Sequence, residues 1–345
     1  MKIGVEMKNN PTPPFTLHGR LKFKIRSLLI FFYSMLFVSI RRILKGPLLP
    51  GWSWDLEVST LFIKKQTLIG FRMKDIKDSR EYEDSFLFRS PAFEQINIQA
   101  VSQPIKGAWY EPIGVKTERT LLYLHGGGYT YHSITHQNLI SLVTLTAGSR
   151  TFALDYRLTP EHPYPAQIED AMAAYRWLLE TGVEPGRLLV AGDSAGGNLT
   201  LALLQSIREA GLPQPSGVVC ICPWTDISNP GISMIENGKY DWVIKEMPEQ
   251  WSKWFHQDTE TKNPVISPVY ADLKGLAPIY IQVGSAEILY SMICEFFSAA
   301  NAKGADVKLD TWQNMTHDFQ AFGDLIPESK EALSRIGEFA RKQTS

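Results

Sequence analysis

From about residue 119 onward the chain alternates short apolar runs with longer amphipathic stretches. Residues 120–124 (TLLYL), 151–154 (TFAL), 188–191 (LLVA), 218–222 (VVCIC), 279–283 (IYIQV) and 307–311 (VKLDT) have the length and composition of strands. Most are continuously apolar rather than alternating, the pattern of strands covered on both faces. Between them, residues 168–180, 194–209, 288–303 and 328–342 read as helices; in the first, Ala171, Ala174, Trp177 and Leu178 recur at three- and four-residue spacing. Strands alternating with helices predict an α/β fold with a mostly parallel sheet and right-handed crossovers. Upstream, residues 94–101 and 107–111 are candidates for antiparallel strands that open the sheet. No internal repeat interrupts the pattern.

Two regions depart from it, the first fifty residues and a long insertion. Residues 1–20 are polar, contain Pro11, Pro13 and Pro14, and read as a flexible lead-in. Residues 27–40 (SLLIFFYSMLFVSI) then form an apolar run flanked by Lys22, Lys24 and Arg26 and by Arg41, Arg42 and Lys45. As a helix it spans about 21 Å, short of the ~30 Å hydrocarbon core. It admits a short anchor, a helix lying on a bilayer, or a helix packed on its own protein; membrane contact through residues 21–45 is the preferred reading. The second departure lies between Pro223 and Pro278, about 55 residues where a plain crossover needs far fewer. It holds Trp224, Tyr240, Trp242, Trp251, Trp254 and Phe255, richer in aromatics than the 11% of the chain as a whole. The expected organisation is an N-terminal helical or cap region over 21–104 and a catalytic domain over 105–345 with a cap insertion at about 224–277.

Composition narrows the function. Lys and Arg number 35 against 36 Asp and Glu in 345 residues, which removes the basic footprint of a nucleic-acid binder. Cys220, Cys222 and Cys294 make no disulfide framework, and the spacing of the first two puts both on one face of a strand as buried small hydrophobes. The sequons at Asn198 and Asn314 fall beside the candidate catalytic groups, where a glycan would obstruct them. An intracellular protein, membrane-associated through its N-terminal helix and not freely secreted, is expected.

The chemistry is carried by two glycine-rich turns. Gly192-Asp193-Ser194-Ala195-Gly196 follows the strand at 188–191 and precedes a helix, the context in which G-x-S-x-G marks a nucleophile. So tight a turn demands almost no side chain two residues before and after the serine. His125-Gly126-Gly127-Gly128-Tyr129 follows the strand at 120–124 and offers backbone N–H groups to an oxyanion. Gly126, Gly127 and Ala195 are assigned to that hole. Neither phosphate-binding glycine motif is present.

A nucleophilic serine needs a base, and the base needs an acid to hold its tautomer. Only His256 and His317 follow Ser194; His317 lies in the loop after the strand at 307–311 and is preferred. Glu287 is the carboxylate in the loop after the strand at 279–283 and is assigned as the acid. Asp310 is set aside as a strand residue and Asp318 as facing elsewhere. His132 and His136 lack a third ligand and an H-E-x-x-H context, so no metal is assigned.

These blocks resemble the hormone-sensitive-lipase branch of the α/β-hydrolases. HGGGY at 125–129, DYRLTPEHPYPA at 155–166, GDSAGGN at 192–198, SPVYADLKGLAP at 267–278 and MTHDF at 315–319 look like its hallmark segments, in order, from about residue 105 to the end. The resemblance implies an eight-stranded mixed sheet, a cap built from the N-terminal region and the 223–278 insertion, and hydrolysis of carboxylic esters without a cofactor. The branch commonly has Asp where this chain has Glu287. The basic-flanked apolar helix and Pro50-Gly51-Trp52-Ser53-Trp54 resemble fungal members, sterol-acetate deacetylases and secondary-metabolite hydrolases among them.

The resulting expectation is a serine carboxylesterase acting on an apolar small-molecule ester, an acetyl ester of a bulky alcohol being one candidate. Tyr129, Trp224, Trp242 and Trp254 are assigned to the pocket wall. An acyltransferase, amidase or thioesterase using the same triad, and a non-catalytic binder, are the alternatives.

Overall fold

The computed structural model describes residues 15–344, so Pro11, Pro13 and Pro14 of the expected lead-in lie outside the described residues. In chain order the strands are β1 (Phe15–Leu17), β2 (Phe86–Phe88), β3 (Ile96–Val101), β4 (Gly107–Pro112), β5 (Thr120–Leu124), β6 (Arg150–Leu154), β7 (Leu188–Asp193), β8 (Gly217–Ile221), β9 (Ile279–Gly284) and β10 (Val307–Trp312). The helices are α1 (Leu21–Lys45), α2 (Trp54–Phe71), α3 (Ile76–Glu83), α4 (His136–Ala147), α5 (Ala166–Glu180), α6 (Ser194–Glu209), α7 (Ser233–Glu236), α8 (Glu246–His256), α9 (Tyr290–Ala302) and α10 (Pro327–Gln343).

β3 to β10 form one sheet in the order β10-β9-β8-β7-β5-β6-β4-β3. Every neighbour pair from β10 to β6 is parallel; β4 alone runs against both its neighbours. The central strands β5, β7 and β8 are buried along their whole length, which explains their uninterrupted apolar runs. β5 and β7 stand side by side where the strand order reverses. At such a point the carboxyl ends of the strands open a crevice, and the two glycine turns leave from there. The sheet begins at Ile96, inside the segment expected to be cap, because β3 pairs in full register with β4.

Three features differ from the sequence reading. Residues 15–17 pair with β2 as an antiparallel ribbon, so the lead-in gives way to structure before residue 20. The apolar run 27–40 is the middle of a helix of 25 residues, because the basic flanks continue it. Cys220 and Cys222 face opposite cores: β8 ends at Ile221 and Cys222 turns away with φ 44°, so period-two spacing no longer applies.

Helices α1, α2 and α3 with β1 and β2 form the N-terminal layer. Ser27, Gln66 and Ser85 make a buried hydrogen-bonded cluster where α1, α2 and β2 meet. Glu57, itself buried, accepts from Arg42 at 2.7 Å and from the Leu48 N–H at 2.9 Å, and pairs with Arg41. The chain between α1 and α2 reaches the far side of the site: Trp52 Nε1 donates to the Asn314 carbonyl at 2.6 Å.

Candidate active site

Ser194 opens α6 with φ 53°, the strained left-handed turn expected of a nucleophile held clear of its strand. The spacing of its glycines is explained by close approach. A Cβ on Gly196 would sit 1.9 Å from the Leu124 carbonyl oxygen, and one on Gly192 2.3 Å from that of Gly196. The strand end, the turn and the neighbouring strand β5 are therefore pressed into direct backbone contact.

Asp193 locks the second glycine turn against the first. Its Oδ1 accepts from the Tyr123 hydroxyl at 2.7 Å and its Oδ2 from the Gly126 N–H at 3.0 Å. This corrects the assignment of Gly126 to the oxyanion hole, since its N–H is already engaged. The N–H groups of Gly127 and Gly128 have no partner among the described residues, and both glycines line the cavity that contains Ser194. Ala195 lies in the first turn of α6, where N–H groups have no intrahelical acceptor.

Glu287 and His317 come from the loops after β9 and β10. His317 Nδ1 and Glu287 Oε1 are 3.3 Å apart, and Glu287 Oε2 accepts from the Gly284 N–H at 3.0 Å, with both side chains buried. Asp310 is tied to Tyr280 and Arg335 on the sheet, as its strand position implied. Asp318 was expected to face away but does not. With φ 50° it turns back so that Oδ2 lies 3.3 Å from His317 Nε2, the nitrogen opposite the one held by Glu287. No hydrogen bond joins Nε2 to Ser194 among the described residues; in ligand-free sites such contacts commonly tighten only when substrate is bound.

Burial lowers the proton affinity of His317, but Asp318, then Glu287 and Asp241, outweigh it and push the imidazole up to about 10. Asp241 went unrecognised in the sequence, where no motif marks it. It accepts from the backbone N–H of His317 at 3.1 Å and of Ile288 at 2.8 Å, joining the histidine and acid loops. Burial raises its carboxyl to about 6. Trp242 donates its indole N–H to the His317 carbonyl at 2.7 Å. The aromatic insertion thus clasps the histidine loop as well as roofing the site.

The cavity has a volume of about 400 Å³ and is lined by Ser194, His317, Trp224, Trp242, Gly127 and Gly128 among others. Two assigned wall residues lie elsewhere. Tyr129 is buried behind the wall, stacked on Phe255 at 4.0 Å with its hydroxyl bonded to Asn198. Trp254 packs against the core from the outer side of α8, and Trp251, three residues earlier, is the cavity residue. Asn198 is buried and bonded to the Trp224 and Ile266 carbonyls, so its sequon is closed to glycosylation.

Among the described residues, two groups bring metal-ligand types together, His125 with His132 and Asp155, and Cys222 with Glu287 and His317. In the first, the His125 and His132 rings stack at 4.0 Å and 10°, which sends their in-plane lone pairs side by side rather than to one point. The second joins Glu287 and His317 of the candidate triad to Cys222, whose thiol burial pushes well above the ordinary range.

A family described as the α/β hydrolase fold matches residues 121–321. The chain is 40% identical over 228 residues to an acetyl-hydrolase of Streptomyces hygroscopicus, spanning 66% of this chain and 76% of that protein. It is 30% identical over 244 residues to the carboxylesterase NlhH of Mycobacterium tuberculosis, spanning 67% and 76%. A solved esterase from the bacterial hormone-sensitive lipase family superposes with a TM-score of 0.74 at 36% identity, over 82% of this chain and 97% of that one.

Proposed function

The chain belongs to the α/β-hydrolase family, in its hormone-sensitive-lipase-like branch, as a carboxylic-ester hydrolase, and we propose that it works through an acyl-enzyme on Ser194. His317 takes the serine proton as the ester carbonyl is attacked, and Glu287 holds the imidazole tautomer and stabilises the imidazolium. The N–H groups of Gly127, Gly128 and Ala195 receive the oxyanion. The imidazolium returns the proton to the departing alcohol, and water repeats the sequence on the acyl group. The observation that carries this reading is the convergence in one cavity of a strained serine, a carboxylate-backed histidine and two glycine N–H groups without partners among the described residues.

The substrate we infer is a short-chain ester, acetyl foremost, of a bulky apolar alcohol of sterol or secondary-metabolite type. Trp224, Trp242 and Trp251 supply apolar walls, and the acetyl-hydrolase relative supports the short acyl group. Hydrolysis of p-nitrophenyl esters from acetate to palmitate by the wild type and Ser194→Ala tests the assignment. Turnover that peaks at short chains and vanishes in Ser194→Ala is expected. Turnover that survives the substitution would overturn the serine mechanism, and an optimum at palmitate would overturn the short acyl group.

We also infer that α1 lies along a membrane surface, consistent with an intracellular, membrane-associated enzyme. It is long and apolar enough to cross a bilayer. The inference of a surface position is supported by the polar contacts that fasten it to α2 and β2 from Ser27 to Arg42.

A further inference from the structure

Glu83 closes α3 and lines the same cavity as Ser194 and His317. Its Oε1 is sealed from solvent without a hydrogen-bond partner, and no ion pair reaches the carboxyl among the described residues. Gly70 makes the room for it: a Cβ there would come within 2.5 Å of Oε1. Burial pushes the carboxyl up to about 8, and Asp84 beside it adds to the shift. Glu83 is half-buried, with an unpaired carboxyl on the cavity wall, so its charged form calls for a partner that the folded chain does not itself supply.

The surrounding wall shows what that is. Asp193, Asp318 and Asp324 also line the cavity, and no lysine or arginine does among the described residues. The remaining surface is mostly apolar and includes Phe62, Tyr131 and Trp251, with Tyr131 close enough to Glu83 for its hydroxyl to respond to the carboxyl charge. Aromatic faces beside a carboxylate attract an ammonium group through the ring quadrupole and the charge together. Asp193 is taken up by Tyr123 and Gly126, Asp318 by His317 and Asp324 by Lys330, which leaves Glu83 as the lining carboxyl without a hydrogen bond or ion pair among the described residues.

We propose that Glu83 is a cation-recognising residue, and that the ester cleaved here carries a protonated or quaternary amine on its otherwise apolar alcohol. The proposal deepens the ester-hydrolase reading and rests on it. On binding, the carboxyl gives up its proton to solvent and pairs with the ammonium, while the ester end reaches Ser194. The chemistry at the serine is unchanged; Glu83 selects and orients.

The test uses ω-(trimethylammonio)alkyl acetates of graded length, each paired with the isostere that ends in a tert-butyl group. The quaternary nitrogen is charged at every pH, so any difference within a pair is the response to charge. At the best length the wild type is expected to favour the cation in kcat/KM by about tenfold or more, and Glu83→Gln, which keeps size and hydrogen bonding, to bring the ratio to about one. A wild-type ratio at or below one would overturn the proposal. So would a preference kept in full in Glu83→Gln, which would place the source of the charge selectivity elsewhere in the cavity. Calorimetric binding of the same pairs to Ser194→Ala reads the preference without turnover. Failure of the wild type to hydrolyse p-nitrophenyl acetate would therefore sink the esterase reading alone, and the cation preference would still stand or fall by binding.

Discussion

Asp318 Oδ2 lies 3.3 Å from His317 Nε2, so the imidazole has a carboxylate at each end, Glu287 on Nδ1 and Asp318 on Nε2. A carboxylate on the reacting nitrogen stabilises the imidazolium and holds back the free base that must accept the serine proton. Replacing Asp318 with Asn, which tolerates the left-handed backbone at this position, removes that charge. The imidazole pKa then falls, and the acid limb of the kcat/KM profile moves to lower pH by about one unit or more. A limb that stays in place would mean that the proton of the pair resides on Asp318 rather than on His317.

Glu287 and Asp241 both lie close to the His317 loop, but only Glu287 meets the ring; Asp241 holds the backbone N–H. Glu287→Gln should lower kcat by about 10³ to 10⁴ with the fold intact, since the tautomer and the imidazolium both lose their support. Thermal unfolding alongside the kinetics separates the two effects. A loss of less than about tenfold would mean that another carboxylate serves as the acid.

Asp193 ties the glycine loop to the nucleophile turn through Tyr123 and Gly126. In Asp193→Ala a buried hydroxyl and a buried N–H lose their acceptor together, at about 1 to 3 kcal/mol each. The variant should unfold at lower temperature and show reduced kcat, because Gly127 and Gly128 are held in place by the same bonds. Asp193→Asn keeps an acceptor oxygen and should recover part of both losses. Full activity in the alanine variant would show that the loop keeps its shape without the tether.

The parts legible in the sequence are those whose signal is local. Ser194 sits in a motif that needs its own strand and helix, and both are adjacent in the chain. Glu287 and His317 follow from the order of strands. What escaped depends on phase or on backbone sign. Along α8, Met247, Trp251 and Phe255 recur every four residues and are buried, which places Trp251 on the buried line and half-buried Trp254 off it; aromatic content alone does not carry that phase. Asp318, Cys222 and Tyr129 all have positive φ, so each side chain leaves in a direction that sequence neighbours do not indicate. Gly126 looks the same as its two successors until Asp193 is seen to occupy its N–H. Helix α4 gives a weak apolar period because Asn138, Ser141 and Thr144 stand among its buried positions.

Helix α1 carries its polarity reversed. Its inward face includes Ser27 and Ser34 with Phe23 and Val38, while Leu21, Ile25, Leu29, Phe32, Leu36, Ile40 and Ile43 form an exposed stripe at three- and four-residue spacing. Leu29, Leu36 and Ile43 are 65%, 63% and 84% exposed. A helix facing water places its apolar side inward, so this face suits an apolar medium, and Lys22, Lys24 and Arg26 at its start suit anionic headgroups. The Glu57 pairs with Arg41 and Arg42 hold α1 on the enzyme with this face turned outward. Full-length protein should float with phosphatidylserine-containing vesicles and resist a salt wash. Leu29→Ser, Leu36→Ser and Ile43→Ser together remove about 1.5 kcal/mol or more each, enough to reduce vesicle partition roughly a thousandfold. Turnover of water-soluble p-nitrophenyl acetate should persist in that variant, since none of the three lines the cavity. Equal flotation of the wild type and the triple variant would remove α1 as the membrane-facing element.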